Sequence, residues 1–231
     1  MRRLPERKYE LHVHTAECDR FATLGGAEIV RRYEEAGYQG IVVTDHYFSL
    51  FFEWFKDELS SCHKTIIDRY LRGYYAARNE GEKRRFTVLP GAEVRLDSCP
   101  NDYLIYGLEE ADFYRLPLLN RCESVTELVE TLPEDTLVVQ AHPFRDNMVV
   151  QNPEALFGLE TFNSHTETFR NETARAFALH YGKAMTSGSD FHSENDTAKG
   201  GILSSQEITS PKELITVLRS GKYRLIQTPE P

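Results

Sequence analysis

Hydrophobic and polar positions alternate along the chain in two rhythms. Short apolar, β-rich runs predict strands over residues 9–15, 40–44, 86–89, 103–108, 136–140, 158–162 and 183–187. Ile41-Val42-Val43 and Leu137-Val138-Val139 are continuously apolar, as in strands buried on both faces of a parallel sheet. Between the strands, apolar residues spaced three and four apart predict helices over residues 27–36, 64–79, 125–132 and 172–181. Ser124-Val125-Thr126-Glu127 and Ser210-Pro211-Lys212-Glu213 fit capping boxes, the second with proline at the first helical position. The helix after Ser210 is expected to end near Ser220-Gly221, with a last edge strand over residues 223–227. Strand–helix alternation of this kind predicts an α/β fold with right-handed crossovers. Seven strands with few hairpin turns favour closure into a barrel over an open sheet. Neither a repeat nor a linker divides residues 1–231, so a single domain is expected, with a helical, aromatic-rich insertion at about residues 47–80.

Composition narrows the classes of function. The chain has 231 residues, 27 basic and 36 acidic, for a net charge of −9 with its eight histidines neutral. An acidic total argues against a general binder of nucleic acid or acidic membrane, whose affinity comes from lysine and arginine on phosphates. A local phosphate site is still compatible with it. Cys18, Cys62, Cys99 and Cys122 show no paired spacing and read as free thiols of a reducing compartment. The charged start, Met1 to Lys8, leads into no apolar stretch, and no apolar run approaches the ~20 residues of a membrane span. A cytoplasmic protein without a membrane partner is expected.

The histidines are placed at strand ends. His12-Val13-His14 closes the first strand, where residues two apart share a face, so both imidazoles converge. Thr44-Asp45-His46, Gly91-Ala92-Glu93, Ala141-His142-Pro143 and Ser189-Asp190-Phe191-His192 each follow an apolar strand. In parallel α/β architectures that carboxyl end carries the active site. Clustered imidazoles and carboxylates are what Zn, Mn and Fe ions require. His63, in the insertion, and His180, inside a helix, fall outside the pattern and are assigned to surface or packing.

The ordered series HxH, an aspartate five residues later, TDH, GxE, HP and SDxH resembles the metal-binding pattern of the PHP domain, the polymerase and histidinol phosphatase family, over residues 9–205. The resemblance implies a distorted (β/α)7 TIM-like barrel and a site for two to three divalent ions (Zn, Mn or Fe), three in the full pattern. By matching position, His12, His14, Glu93 and Asp190 hold one ion. Glu93 bridges to a second, completed by His142 and a ligand after the sixth strand, for which His165 is the available imidazole. Asp19, His46 and His192 hold the third. The family's Ser-Asp-Gly segment is Cys18-Asp19-Arg20 here, which keeps the aspartate and loses the glycine. Arg20 is either a new phosphate contact or a solvated loop residue.

The implied activity is hydrolysis of a phosphomonoester of a small metabolite or nucleotide by attack of metal-bound hydroxide, with Glu93 and Asp190 at its centre. Asp45, beside His46, is expected either to orient that imidazole or to cap the following turn. Arg145 is the first choice for gripping phosphate and Arg95 the second, since a guanidinium matches phosphate geometry. Either arginine could instead form an ordinary ion pair. In the aromatic stretch Tyr47 to Phe55, the helically spaced Phe48, Phe51, Phe52 and Phe55 read as core, and Tyr47 and Trp54 as pocket wall. The competing readings are a metal-dependent amidohydrolase, an oligonucleotide-directed nuclease of the same family, and a degenerate module that binds metal without catalysis. The expected partner is a small phosphorylated substrate, with long nucleic acid disfavoured. The oligomeric state is not specified by any of these features.

Overall fold

The computed structural model describes residues 6–60, 62–149 and 151–228. Strand β1 (Arg7–Val13) leads through helix α1 (Gly26–Glu35) to β2 (Gly40–Val43) and the short β3 (His46–Tyr47). Helices α2 (Ser49–Trp54), α3 (His63–Tyr70) and α4 (Arg72–Arg84) fill the insertion. Then come β4 (Thr87–Pro90), β5 (Ala92–Arg95), β6 (Asp102–Tyr106), α5 (Glu110–Arg115), α6 (Val125–Thr131) and β7 (Leu137–Gln140). The chain finishes with β8 (Gly158–Asn163), α7 (Thr168–His180), β9 (Ala184–Gly188), β10 (Ile202–Ser204), α8 (Pro211–Ser220) and β11 (Tyr223–Leu225). Among the described residues, no helix is long and apolar enough to cross a membrane.

The α/β class holds, and among the described residues the strands do not close into one continuous barrel sheet. The strands pair as two sheets, in the orders β11-β10-β1-β2-β4 and β3-β5-β6-β7-β8-β9. Strand β6 runs antiparallel to both of its neighbours. The reason is local: residues 96–101 are too short a connection for the dozen or more residues of a parallel crossover, so the chain must turn back. The C-terminal strands β10 and β11 add antiparallel pairing at the outer edge of the first sheet. The two sheets touch at both ends. Strand β4 continues through the single residue Gly91 into β5. On the other side, Phe191 bridges to Val13, with His14 N donating to Phe191 O at 3.1 Å.

Alternation within the strands divides the core in two. Val42, Leu104, Tyr106, Leu137 and Val139 share one apolar cluster with Leu214, Ile215 and Leu218 of α8. Ile41, Val43, Tyr103, Ile105 and Val138 point the other way, into a cluster with Ile29 and Tyr33 of α1 and Ile67 of α3. Both faces are therefore buried, which accounts for the continuous apolar runs.

The expected helix over residues 64–79 is broken at Leu71 into α3 and α4. Just past the break the backbone is pressed against the loops that follow β1 and β2: a Cβ at Gly73 would lie 1.8 Å from Thr15 Oγ1 and 2.7 Å from Asp45 Oδ2. Ser124 and Ser210 cap α6 and α8 by accepting from Glu127 N at 3.2 Å and Glu213 N at 3.3 Å. The two glutamates reach one residue further back than a capping box requires, to Glu123 N and Thr209 N.

Candidate metal centre

The strands deliver the ligands to one place. Adjacent strand pairing in register sets His46 of β3 beside Glu93 of β5. His142 follows β7 and Asp190 follows β9, and both have left-handed backbones, φ 28° and 51°. Such a conformation costs a non-glycine residue about 1–3 kcal/mol and persists only where neighbours enforce it. Glu160 of β8 enforces the first, since its Oε2 accepts from His142 N at 3.0 Å. Glu10 of β1 anchors the second from inside the core: it accepts from Ser189 N at 2.9 Å and from the Ser189 hydroxyl. Gly188 lets β9 approach closely, since a Cβ there would lie 2.4 Å from His12 Cβ.

Three imidazoles surround one carboxylate oxygen. Glu93 Oε2 lies 3.3 Å from His12 Nε2, 3.2 Å from His14 Nε2 and 3.0 Å from His46 Nε2. Asp190 Oδ1 stands 3.4 Å and 3.2 Å from the same two nitrogens of His12 and His14. Yet His12 Nε2, both ring nitrogens of His14 and Glu93 Oε2 are buried without a hydrogen bond. A buried polar atom without a partner is costly, so several pointing at one spot call for a cation between them. Groups of potential ligand atoms lying within 4.8 Å of one another are His12, His14, Glu93 and Asp190; His14, Asp19, His46 and His192; and Glu93, Asp102 and His142.

Charge in the cluster is strongly coupled to geometry. Burial opposes charge on His46, but the Glu93 and Asp19 carboxylates hold its imidazole up at about 10. Burial likewise opposes charge on Asp19, and the hydrogen bond and charge of His46 hold it down at about 2. Burial, joined by the positive charge on His14, pushes His192 down to about 4, leaving a neutral imidazole. Glu93 and Asp190 both fall well below the usual carboxylate range: burial opposes this, and the surrounding imidazoles outweigh it.

A family model described as PHP-associated matches residues 168–223. No curated protein matches the chain. A two-domain protein from Bacteroides vulgatus, containing a predicted PHP-like metal-dependent phosphoesterase, superposes over 97% of this chain and 65% of its own, with TM-score 0.69 and 17% identity. The chain has a PHP-type fold. Both findings support the PHP domain family, to which the motifs are similar. PsfC from Pseudomonas syringae shares the PHP-type fold over 97% of this chain and 92% of its own, at TM-score 0.67 and 15% identity. A lesion-specific endonuclease from Pyrococcus furiosus does so over 96% and 58%, at TM-score 0.63 and 12% identity. The chain thus spans less than two thirds of the Bacteroides protein and of the endonuclease.

Against the PHP pattern, His12, His14, Asp19, His46, Glu93, His142, Asp190 and His192 are brought together, and His165 is not. His165 Nε2 pairs with Asp196 Oδ1 at 3.2 Å and its ring stands 5.9 Å from that of His192. Asp45 does not touch the His46 ring: both its oxygens grip Thr15, with Thr15 N donating at 2.6 Å, and burial pushes the carboxyl up to about 7. Arg145 Nη1 sits 3.6 Å from Asp190 Oδ2 and its half-exposed side chain lines a cleft over the cluster. Arg20 turns away to the Trp54 carbonyl and the Phe55 ring. Tyr47 is core, packed on Tyr70, while Phe48 stacks on His46 and forms the cleft wall with Phe21 and Leu50. Trp54 stands behind that wall, edge-on to both Phe21 and Phe48.

Sequence reasoning missed Asp102, Glu160 and Glu10. Glu160 Oε1 holds His12 Nδ1 at 2.9 Å, which fixes the ring so that Nε2 faces the cluster. The donor set, imidazole nitrogen and carboxylate oxygen, fits divalent Zn, Mn or Fe ions, in agreement with the partnerless atoms.

Proposed function

We propose that this chain is a metal-dependent phosphoesterase that hydrolyses a phosphomonoester of a small metabolite or nucleotide. The observation that carries this reading is the set of partnerless buried atoms on His12, His14 and Glu93, lying under a cleft lined by two arginines. His12, His14, Glu93 and Asp190 would hold one ion, and Asp19, His46 and His192 another. Bound ions of this kind acidify water and stabilise charge on phosphoryl oxygens.

The rest of the work falls to the chain itself. Arg145 binds the phosphoryl oxygens; its fork is half exposed and reaches the cleft from the Asp190 side. Glu160 holds the proton on His12 Nδ1, which keeps Nε2 free as a donor to the ion. Phe21, Phe48, Leu50 and Met148 give the cleft an apolar rim that excludes water from the reacting group. His165 lines the same cleft without joining a ligand group, so we assign it to the substrate side. The cleft volume of about 560 Å³ suits a small ligand. We also infer that the two sheets act as one interrupted seven-strand barrel within a single domain, and that the four free cysteines belong to a cytoplasmic protein.

A screen of phosphorylated metabolites and short oligonucleotides with Mn, Zn, Fe and Mg tests this. Phosphate release from small monoesters is the expected outcome. Cleavage of oligonucleotides alone would select the nuclease reading, and turnover of amides or lactones without phosphate release would select the amidohydrolase.

A further inference from the structure

The third ligand group, Glu93, Asp102 and His142, differs from the other two in what already balances its charge. Asp102 and Arg95 face each other directly across the antiparallel pair β5–β6. Arg95 Nε donates to Asp102 Oδ1 at 2.7 Å and Nη2 to Oδ2 at 2.6 Å, so both carboxylate oxygens are engaged. The guanidinium also lies over the Phe48 ring, 5.6 Å from its centroid. Cross-strand register, a bidentate pair and an aromatic face hold it on three sides.

Of the remaining members, Glu93 and His142 are paired with each other, while His142 Nδ1 is buried without a hydrogen bond. Glu93 Oε1 is hydrogen-bonded to His142 Nε2 at 3.0 Å, and Asp102 Oδ2 lies 3.8 Å from the same nitrogen. In the other two groups the carboxylates face mainly imidazoles, with, among the described residues, a single guanidinium nitrogen, Arg145 Nη1, 3.6 Å from Asp190 Oδ2. An imidazole can itself ligate a metal through a bare ring nitrogen. A guanidinium cannot be deprotonated in a protein, so its charge stays. An incoming dication would have to share Asp102 with a fixed cation touching both of its oxygens.

We propose that Arg95 is a built-in cation standing in place of a third metal ion, so that the centre takes two ions per chain. The proposal rests on the metal-centre reading above and restricts it. Asp102 is then the anchor of Arg95 and not a metal ligand. The Arg95 side chain is 38% exposed and lines the cleft, so its remaining N–H groups are available to a phosphate.

The test counts ions. Wild type, Arg95→Ala and Asp102→Asn are saturated with Zn, freed of excess ion by gel filtration, and measured by elemental mass spectrometry, with circular dichroism to verify folding. The expected counts are two for wild type, two for Asp102→Asn, and three for Arg95→Ala, where Asp102 becomes free to ligate. Three ions in wild type, falling to two in Asp102→Asn, would show that Asp102 is a ligand and overturn the proposal. So would Arg95→Ala remaining at two. If Arg95→Ala does not fold, the wild-type and Asp102→Asn counts still decide. Any wild-type count other than two overturns the proposal, and a count of zero also overturns the metal-centre reading beneath it.

Discussion

The two sides of the ligand cluster are built from the same residue types and behave differently. On the β1–β2 side, imidazoles of His12, His14 and His46 crowd one oxygen of Glu93, and several of the atoms there have no partner. On the β5–β6 side, Asp102 is fully engaged by Arg95 and Glu93 Oε1 by His142. The first side sets its carboxylates mainly against imidazoles, whose charge can leave. The second balances one of them with a charge that cannot. The lesson is that a cluster of acids and histidines is only as open to metal as its counter-charges are removable.

The largest effects should come from the open side. His14→Ala and Asp190→Ala each delete a ligand contributed by a separate strand end, and each is expected to bring phosphatase turnover to background with fewer ions bound. Parallel measurement of turnover and metal content checks this, and near-wild-type rates in either variant would remove the β1–β2 side from the chemistry. Glu160→Gln is next. It weakens the hydrogen bond that fixes His12 and should lower metal affinity about 10–100-fold, as loss of such supporting carboxylates does elsewhere. A competition titration with a metal indicator measures it.

Arg145→Ala should act on substrate alone. Loss of one charged hydrogen-bonding partner is expected to raise KM about 10-fold or more with metal content intact. Unchanged kinetics would take Arg145 out of the site. The smallest effect is expected from Asp45→Asn. Asp45 clamps Thr15 beside His14, so the variant should lose about 1 kcal/mol of stability in a denaturant titration, with ion count and kcat close to wild type. A fall in ion count would show instead that Asp45 controls the open side.

What was legible in the sequence follows from how each residue is presented. His14, His142 and Asp190 stand just beyond apolar strands, His12 near the end of β1 and His46 three residues past β2, where a polar residue breaks the pattern visibly. Asp102 was not legible because it opens β6, and β6 runs against its neighbours, so the start of that strand lies at the end where the others finish. Glu10 and Glu160 sit inside strands and read as ordinary strand residues. Their burial becomes visible only when Ser189, His142 and His12 fold onto them. His165 has the right chemistry, and the turn after β8 carries it toward Asp196 instead. Most strands were found from their apolar runs. The pairing was not, because parallel or antiparallel is decided by connections such as residues 96–101, whose brevity carries no hydrophobic signal.

The most direct test of the metal-dependent phosphoesterase is release of inorganic phosphate from para-nitrophenyl phosphate by chain stripped with chelator and reloaded with Mn or Zn. The account predicts turnover that disappears on chelation, returns with metal and is absent in Asp190→Ala. Metal-loaded, folded protein that releases no phosphate from this or any small monoester would contradict it.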